Sequence, residues 1–536
     1  MPSRLRTSGD QVVTAAQPWV LAVDLGTSAV KVGAVGTSGR ILGSTQSELA
    51  TVVTADGGVE QDPHQWWSAI TGAVARLVAT GTDDRLDPGA LVAVAITGQY
   101  ASTVPVDAAG QPVGACLTWA DDRGGPYSRA AFGGPAAGYK PTAIAAWLKY
   151  TGGAPSPGGA DPSGHSLFLK HERPEDYRRA TTLLEPVDYL GLRFTGRAAA
   201  TPASMVASWL TDNRPGRAPG YVSTLVRRSG RDPGRLPELV ATGSVLGGIS
   251  TQAAQQLALP AGVPVVTGIP DLHAAYLASG ATDDFAAHLS ISTTSWVSCA
   301  VPYKKTDVLR QMASVPGLRP GQYLMIDNHE TAGVCLQWIR DGVLAHPEGF
   351  GPRWDPSYDD LVALAGSAPP GSGGVIFTPW LKGERSPVDD RRLRAAFLNV
   401  SLTTDRADLV RAVLEGVAYN MAWLVEVADR FTGRRLEPLR VLGGGAQSDL
   451  WCQIHADVLG RRLERVADPA VCQLRGVALH ALMALGRVEL SQIAALVPAA
   501  TTFDPDPVAG AVYAPLYQEF TRVYGRLKGM YHRLNG

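Results

Sequence analysis

Short apolar runs that end in glycine, serine or threonine recur along the chain. The first run, 19–23, is followed by the sequence DLGTS at 24–28, and a second, alternating run covers 29–35. This pattern predicts a β-hairpin with a hydroxyl-rich turn. The segment 289–297 has the same order, with Ser292, Thr293 and Thr294 at its turn. We interpret the two segments as a weak internal repeat, each copy presenting a turn that can face a phosphate.

Amphipathic helices alternate with buried strands in the rest of the chain. Asp62 suits the N-cap of a helix in which Pro63 takes the first position and Gln65 completes a capping box. A longer helix is predicted from Asp405 to about Phe431. Further strands are predicted at 91–96, 263–267 and 439–442. The alternation indicates an α/β protein.

The segment 124–164 is rich in glycine, proline and alanine. It predicts one short helix at 143–150 and a surface loop at 152–164.

Length, charge and cysteine content narrow the class of protein. The chain has 536 residues, so more than one core is expected. The net charge of −1, from 48 basic and 49 acidic residues, gives no field that would favour a nucleic acid or an anionic membrane as partner. No apolar stretch reaches the roughly 18–20 residues of a membrane span.

The polar segment 1–17 lacks the apolar core of a secretory signal and is predicted to be a flexible leader. Five widely spaced cysteines fit neither a disulfide framework nor a zinc site. We therefore expect a cytoplasmic protein.

The turn at 24–28 is the sharpest chemical signal. Gly26 allows a tight turn, and the backbone N–H groups with the Thr27 and Ser28 hydroxyls can bond phosphate oxygens. Asp24 can hold Mg²⁺, directly or through water, and Lys31 adds a nearby positive charge. The alternative is an ordinary β-turn with a surface aspartate.

The sequence GGGA at 443–446 lies between a predicted strand and a helix capped by Ser448. Small residues there, Gly445 and Ala446 among them, allow a nucleotide to approach the backbone. Taken alone, close packing of the helix on the strand is the favoured explanation.

Asp271 follows a buried strand and a proline, where strand ends of α/β sheets line clefts. Its carboxylate could accept a proton from an attacking hydroxyl. Capping the helix that starts near Leu272 is the alternative, and the two roles are compatible.

The sequence WADDR at 119–123 combines an aromatic face, carboxylates and a guanidinium, a mixture that can line a sugar pocket. For Asp122 a solvated turn is favoured. The histidines show no metal-ligand spacing and are interpreted as structural or surface residues: His273, His329, His455 and His480.

Together these elements resemble the FGGY carbohydrate kinases, and most closely their xylulokinase-like members. The resemblance spans about 20–486, with the motifs in the family's order. The matching segments are VDLGTS at 23–28, EQDP at 60–63 with Trp66 and Trp67, TGQ at 97–99, WxDxR at 119–123, DYL at 188–190, FTG at 194–196, GERSP at 383–387, RAVLEGVAY at 411–419, GGGAxS at 443–448 and the tail 513–534.

The resemblance implies two actin-like, ribonuclease H-like domains that flank a central cleft, with ATP and Mg²⁺ as cofactors and a small sugar or polyol as substrate. The implied division is a leader at 1–17, a sugar-binding domain at 18–283, an ATP-binding domain at 284–487 and a helical extension at 488–536. A homodimer is the assembly that the family suggests.

The resemblance also implies a role for each candidate residue. These are Asp271 as the catalytic base that also touches the sugar; Asp24 as the magnesium carboxylate; Thr27, Ser28, Lys31 and Thr293 near the phosphates; Gly333, Gly445 and Ala446 near the nucleoside; and Gln99, Tyr100, Trp119 and Asp121 facing the sugar.

Three departures from the family pattern bear on activity and substrate. Ser292 stands where the second phosphate turn has glycine, and its Cβ would restrict backbone approach to the γ-phosphate. Tyr100 and Ala101 replace Met-His, and Leu272 replaces an Asn or Gln that bonds the sugar. We therefore expect a pocket that tolerates a less hydroxylated substrate, with D-xylulose as the best single guess.

Two rival functions stay open. A catalytically impaired FGGY-fold protein that only binds nucleotide or sugar is favoured by Ser292 and Leu272, and disfavoured by Asp24 and Asp271. An actin- or chaperone-type ATPase would lack the sugar-side cluster at 119–123 and the loop at 383–387.

Overall fold

A computed structural model describes residues 17–535 except 80–85, 137, 308, 309, 311 and 346–354. The predicted leader therefore lies, apart from Gln17, outside the described residues. Two large mixed sheets organise the chain, and we call the parts built around them the first and second lobes.

The first lobe contains fifteen of the described strands and nine of the described α-helices. The strands are β1 (Trp19–Leu25), β2 (Ala29–Gly36), β3 (Ile41–Glu48), β4 (Val52–Val53), β5 (Val59–Gln61), β6 (Leu91–Gly98), β7 (Val104–Val106), β8 (Cys116–Leu117), β9 (Gly133–Ala136), β10 (Thr182–Leu184), β11 (Ala199–Ala200), β12 (Glu238–Leu239), β13 (Val245–Gly248), β14 (Pro264–Val266) and β15 (Ile269–Pro270). The helices are α1 (Pro63–Ala79), α2 (Gly125–Phe132), α3 (Pro141–Tyr150), α4 (Pro162–Glu172), α5 (Pro174–Arg179), α6 (Pro186–Thr195), α7 (Ser223–Ser229), α8 (Thr251–Leu257) and α9 (Asp271–Ser279).

The second lobe contains the remaining described elements. Its strands are β16 (Ala287–Ile291), β17 (Ser295–Val301), β18 (Thr306–Asp307), β19 (Met312–Pro316), β20 (Tyr323–His329), β21 (Ile376–Thr378), β22 (Ala396–Leu398), β23 (Leu439–Leu442), β24 (Leu463–Val466) and β25 (Ala499–Phe503). Its helices are α10 (Gly333–Trp338), α11 (Tyr358–Ser367), α12 (Arg406–Thr432), α13 (Asp449–Leu459), α14 (Cys472–Ala484), α15 (Ile493–Leu496) and α16 (Pro507–Leu534).

The same arrangement of strands occurs in both lobes. In the first sheet, ordered β13-β14-β6-β1-β2-β3, β1 forms an antiparallel hairpin with β2 and lies parallel to β6, which also pairs with β15. In the second sheet, ordered β18-β19-β20-β17-β16-β23-β24-β25, β16 forms the hairpin with β17 and lies parallel to β23. The internal repeat predicted from the two apolar-turn-apolar segments is therefore present as a repeated sheet core.

An apolar core joins the lobes. Helix α14, which follows β24 of the second sheet, packs on α9 and on β1 and β6 of the first sheet. The two helices approach so closely that a Cβ on Gly476 would lie 2.0 Å from the carbonyl oxygen of Ala274. Buried residues from both sheets, such as Val20 and Leu442, complete this core.

Three local predictions differ from the structure. Gln65 accepts a hydrogen bond from the Ala50 N–H (3.1 Å) and so does not form the expected capping box with Asp62. The segment 124–164 contains α2 as well as α3. Its last part is largely buried and leads into α4, which Asp161 caps by accepting from the N–H groups of Ser163 and Gly164.

The region 488–536, expected to be helical, first supplies β25 as an edge strand paired with β24 and then forms α16. Among the described residues, no helix combines the length and apolar character that a membrane crossing requires.

Candidate active site

Three strand ends of the first sheet meet at one edge and bring two carboxylates together. Asp24 lies near the end of β1, opposite Thr97 of β6 in the parallel register. Gly98 of β6 pairs with both Leu25 and Pro270, so the first residue of α9, Asp271, emerges beside the end of β1. This is the cleft position expected for strand ends in α/β sheets.

Burial and mutual repulsion perturb both carboxyl groups. Burial raises the pKa of Asp24, and the positive charge of Lys31 opposes that rise. Burial and the negative charge of Asp24 raise the pKa of Asp271 to about 7, while the Leu272 N–H lowers it. A carboxylate with a pKa near neutrality can accept a proton from a hydroxyl at physiological pH. The geometry therefore suits Asp271 to general-base chemistry.

Asp24 and Asp271 are the residues of this edge that could hold a magnesium ion. Two repelling carboxyl groups in a buried site are stabilised by a cation, and Mg²⁺ is commonly held by one or two carboxylates together with phosphate oxygens. Among the described residues, no group of three or more histidines, cysteines or carboxylates could form an all-protein metal cage. Asp24, with Asp271 nearby, has the chemistry that the protein side of such a site would need.

Lys31 lies directly across the hairpin from Asp24. Its Nζ donates a hydrogen bond of 3.0 Å to the carbonyl oxygen of Ala470, in the second lobe. The side chain thus adds positive charge beside Asp24 and ties the hairpin to the segment that leads into α14.

A hydrogen-bond network occupies the sugar side of the first turn. The Trp119 indole N–H donates to the Thr27 hydroxyl (3.1 Å), which lies 3.5 Å from Gln99 Oε1. Gln99 donates to Gln61 Oε1 (2.8 Å), and Gln61 donates to the Thr27 carbonyl (2.6 Å). The Thr27 hydroxyl thus contacts the predicted sugar residues, whereas Ser28 is exposed at the turn.

Gln61 was missed as a site residue, although it belongs to the EQDP motif. The signal that could have found it is its place next to the N-cap of α1, which brings it against the turn. Trp66 also donates to its Oε1 (3.1 Å), so Gln61 is held rigidly.

Asp121 is fully buried, and its carboxylate is already hydrogen-bonded within the protein. It accepts from the Val59 N–H (3.0 Å) and pairs with Arg123 at 2.7 Å. The side chain therefore braces the loop that presents Trp119, and the structure does not open it towards a ligand. Asp122 is exposed, which agrees with the solvated turn favoured for it.

Tyr100 lies within electrostatic reach of the base. Burial raises the pKa of its phenol, the negative charge of Asp271 raises it further, and the positive charge of Arg385 opposes both. Ala101 follows with a φ of 60°, in the left-handed region. The turn is held because the Ser102 N–H donates 3.1 Å to Glu185 Oε2.

Leu272 does not take the place expected for it. Only 3% of the side chain is exposed, and it packs in the core between the lobes with residues of α9 and α14. Contrary to the prediction from the sequence, Leu272 does not face the sugar, because the residue after the base turns into the core.

The second turn lies against the start of α10. The Ala332 N–H donates to the Thr293 carbonyl (3.0 Å), and the Gly333 N–H donates to the Ser292 carbonyl (2.8 Å). A Cβ on Gly333 would lie 2.6 Å from that Ser292 oxygen, so glycine is required for this contact. Thr293 itself is exposed at the tip.

Ser292 is accommodated without backbone strain. Its φ is not in the left-handed region, and its hydroxyl lies 3.1 Å from that of Ser290. The Ser292 side chain is therefore held by a local hydrogen bond, and the effect of its Cβ on the approach of a phosphate stays a prediction.

The GGGA turn next to β23 is partly a packing feature. A Cβ on Gly445 would lie 2.5 Å from Ile291 and 2.8 Å from Trp451, and Ala446 is fully buried. Gly444 is the exposed member, with no atom within 4 Å of a built Cβ. Open space for a ligand is therefore found at Gly444, while Gly445 and Ala446 pack against the protein interior.

Comparisons with known proteins agree with this geometry. The models of the N-terminal and C-terminal domains of the FGGY family of carbohydrate kinases match residues 19–130 and 293–485. The xylulose kinase of Staphylococcus epidermidis is 26% identical over 524 residues, covering 95% of this chain and 97% of the relative. The xylulose kinase of Escherichia coli is 26% identical over 95% of this chain and 99% of its own length.

Solved structures show the same fold. The ligand-bound xylulose kinase of Lactobacillus acidophilus superposes with a TM-score of 0.82 at 20% identity, covering 96% of this chain and all of that chain. The gluconate kinase of the same organism superposes with a TM-score of 0.81 at 20% identity, over 97% of this chain and all of its own. Their two actin-like, ribonuclease H-like domains correspond to the two lobes. The chain therefore belongs to the FGGY family of carbohydrate kinases and phosphorylates a sugar with ATP.

Proposed function

We propose that this kinase transfers the γ-phosphoryl group of ATP to a hydroxyl of a ketose, with D-xylulose as the best single substrate. The observation that carries the proposal is the pairing of Asp24 and Asp271 at adjoining strand ends, beside the network of Gln99 and Trp119. Relatives that match nearly the whole chain and are named xylulose kinase support the choice of sugar.

In the proposed reaction Asp271 accepts the proton of the attacking sugar hydroxyl. The sugar oxygen forms a bond to the γ-phosphorus while the bond from that phosphorus to the bridging oxygen of ADP breaks, and Asp271 later releases its proton to solvent. Asp24 would hold Mg²⁺, which when bound would supply positive charge against the phosphate oxygens. Lys31, fixed by Ala470, adds charge on the same side.

The phosphates would lie between the two turns. Ser28 is exposed at the tip of the first turn and Thr293 at the tip of the second, and Gly333 lets α10 approach the second turn closely. Thr27, Gln99 and Trp119 face the sugar as one hydrogen-bonded unit, with Tyr100 beside the base. Gly444 leaves space for the nucleoside in front of Gly445 and Ala446.

The sugar assignment rests on the relatives and on this network. Since Leu272 lies in the core, the expectation of a less hydroxylated substrate now depends on Ala101 alone. We further propose that the protein works in the cytoplasm, since all five cysteines are unpaired and buried.

A substrate panel with matched variants tests the proposal. Purified protein is assayed for ATP turnover with pentuloses, hexuloses, pentitols and deoxy sugars. Asp271→Asn keeps the side-chain shape but removes the proton acceptor, so kcat should fall ~10²–10⁴-fold with ATP binding retained. Asp122→Asn, at an exposed position in the same lobe, is the control and should keep wild-type turnover.

Two results would count against the proposal. If Asp271→Asn turns over like wild type, Asp271 is not the base. If no sugar stimulates ATP turnover although nucleotide binds, the chain is a catalytically impaired binding protein.

A further inference from the structure

A loop of the second lobe, residues 383–392, is hydrogen-bonded to the segment that holds the second phosphate turn. It follows β21 and is closed on itself by two backbone hydrogen bonds, Glu384 N–H to Asp390 O (3.0 Å) and Asp390 N–H to Glu384 O (2.9 Å). Arg385 projects from this loop. The loop is thus a closed platform for a cationic side chain.

The platform is anchored to the second phosphate turn through buried Glu384. Its carboxyl accepts from the N–H groups of Glu330 (3.0 Å) and Arg385 (2.8 Å) and from the side-chain amide of Asn420 on α12 (2.7 Å). Glu330 stands between the end of β20 and Ala332, whose N–H bonds the Thr293 carbonyl. The position of Arg385 is therefore set by the same segment that holds the phosphate turn.

The Arg385 guanidinium is aimed by one ion pair and keeps donors free. Its Nε lies 2.7 Å from Glu330 Oε1, and the side chain is 39% exposed. Within the described part of the chain, its two terminal nitrogens have no hydrogen-bond partner. Two parallel N–H donors in a fixed fork are suited to paired oxygen atoms of a ligand.

The Arg385 guanidinium lies within electrostatic reach of the first lobe. Its positive charge acts on the phenol of Tyr100, the residue that also feels Asp271. Asp389, on the same loop, acts on Tyr139 of the first lobe, whose pKa is raised chiefly by burial. Charges on this loop therefore act on side chains of the first lobe, and one of these is Tyr100, which also feels the base.

We propose that Arg385 is a substrate-binding residue supplied by the second lobe, donating hydrogen bonds to oxygen atoms of the sugar opposite Asp271. The proposal rests on the proposed function, since it needs a sugar in the cleft. With this contact, residues of both lobes bind the sugar, so sugar binding favours approach of the two lobes. The segment that positions Arg385 also holds the second phosphate turn.

Arg391 is a matched control for this proposal. It pairs with the same Glu330 oxygen at 2.8 Å but is 56% exposed, and it lies at the far end of the same loop. Arg385→Gln and Arg391→Gln each remove one positive charge from Glu330. Only the first removes the positive charge that acts on Tyr100.

The experiment compares KM values for ATP and for the best sugar of the panel in wild type, Arg385→Gln, Arg385→Lys and Arg391→Gln. Arg385→Gln should raise the sugar KM by ~10–100-fold, because hydrogen bonds from a charged donor are lost, while the ATP KM stays within about threefold. Arg385→Lys should fall between wild type and Arg385→Gln. Arg391→Gln should match wild type in both KM values.

The outcomes separate this proposal from the one on which it rests. If wild type uses a sugar and Asp271→Asn loses turnover, but Arg385→Gln has the sugar KM of Arg391→Gln, the Arg385 contact is refuted and the kinase assignment stands. A fall in kcat alone also refutes it, since the arginine would then act on the phosphoryl group. If Arg385→Gln does not fold, a wild-type sugar KM in Arg385→Lys refutes it. Absence of any sugar-dependent turnover removes both proposals together.

Discussion

Two carboxyl groups that repel each other in a buried site define the chemistry at the residue scale. Asp24 raises the pKa of Asp271 beyond what burial alone does, and the Leu272 N–H only partly offsets the rise. A base whose pKa lies near 7 binds a proton strongly enough to take it from a hydroxyl, yet is ionised in a useful fraction of molecules. A cation bound beside the two carboxyl groups would offset this repulsion.

The first prediction concerns the stability of the metal-free, nucleotide-free protein. The unfolded chain loses the Asp271 proton near the ordinary pKa of 3.8, whereas the folded chain keeps it to about 7. The contribution of Asp271 to the stability of wild type therefore falls as pH rises from about 4 to 7, because at this group the unfolded state binds fewer protons. Asp271→Asn cannot titrate, so it should gain up to about 4 kcal/mol relative to wild type over that interval.

Urea unfolding at pH steps between 4 and 8 measures this difference. Asp122→Asn, at an exposed position, serves as the control and should follow the wild-type curve. Parallel curves for Asp271→Asn and wild type would show that Asp271 does not hold its proton in the folded state.

Single residues were predictable where the turn chemistry was local. The DLGTS turn and the proline before Asp271 placed both carboxylates at strand ends, which is where they lie. Asp121 and Leu272 show the limit. Asp121 belongs to a motif but is paired with Arg123, and Leu272 follows the base but enters the core. Which way such a side chain turns depends on packing with distant segments, and no local pattern encodes it.

At the scale of elements, the end of α16 braces the loop 383–392. His532 Nε2 lies 2.6 Å from Asp390 Oδ2, and the Asn535 side-chain amide donates to the Arg392 carbonyl (2.9 Å). Asp390 is the residue whose backbone closes the loop on Glu384. Helix α16 and the residue that follows it therefore hold the loop 383–392, which carries Arg385.

The second prediction tests this support. His532→Ala removes the hydrogen bond to Asp390, worth about 1 kcal/mol, so the loop should sample positions in which Arg385 misses the sugar. The sugar KM should rise by roughly fivefold. His532→Gln keeps a donor and should recover most of the loss.

Arg522→Ala on the same helix is the control, because its ion pair with Glu519 is exposed on both sides. Its sugar KM should equal that of wild type. If His532→Ala changes only the melting temperature and leaves the sugar KM unaltered, the helix end stabilises the lobe without positioning the loop.

Elements whose ends are marked by turn or capping residues in the sequence were predicted correctly. The hairpin of β1 and β2 and the helix α12, capped by Asp405 in a capping box, match their patterns. Helix α2 was missed because glycine and proline dominate its surroundings, and it is held there by close packing. Gly124 and Gly159 approach each other so tightly that a Cβ on Gly159 would lie 2.4 Å from the Gly124 carbonyl carbon.

At the scale of the whole molecule, the packing of α9 against α14 links the candidate catalytic base to the second lobe. Helix α9 begins with Asp271, and α14 belongs to the second lobe, so their contact fixes the base relative to the ATP side. Gly476 allows the contact, since any Cβ there would meet the Ala274 carbonyl at 2.0 Å. This packing was not readable from sequence, because it joins helices about two hundred residues apart.

The last prediction is that Gly476→Ala damages both stability and catalysis. Overpacking at a buried contact costs about 1–3 kcal/mol, and the strain is relieved only if α9 moves away from α14. Because Asp271 is the first residue of α9, that movement shifts the base, and a displacement of about 1 Å can reduce turnover ~10²-fold. Gly525→Ala on α16 is the control: a Cβ there meets no atom within 4 Å, and replacing a helical glycine should stabilise by roughly 0.5–1 kcal/mol. Thermal unfolding and sugar-dependent turnover of both variants decide the matter. A Gly476→Ala protein with a lowered melting temperature but wild-type kcat would mean that the crossing holds the lobes together without setting the position of Asp271.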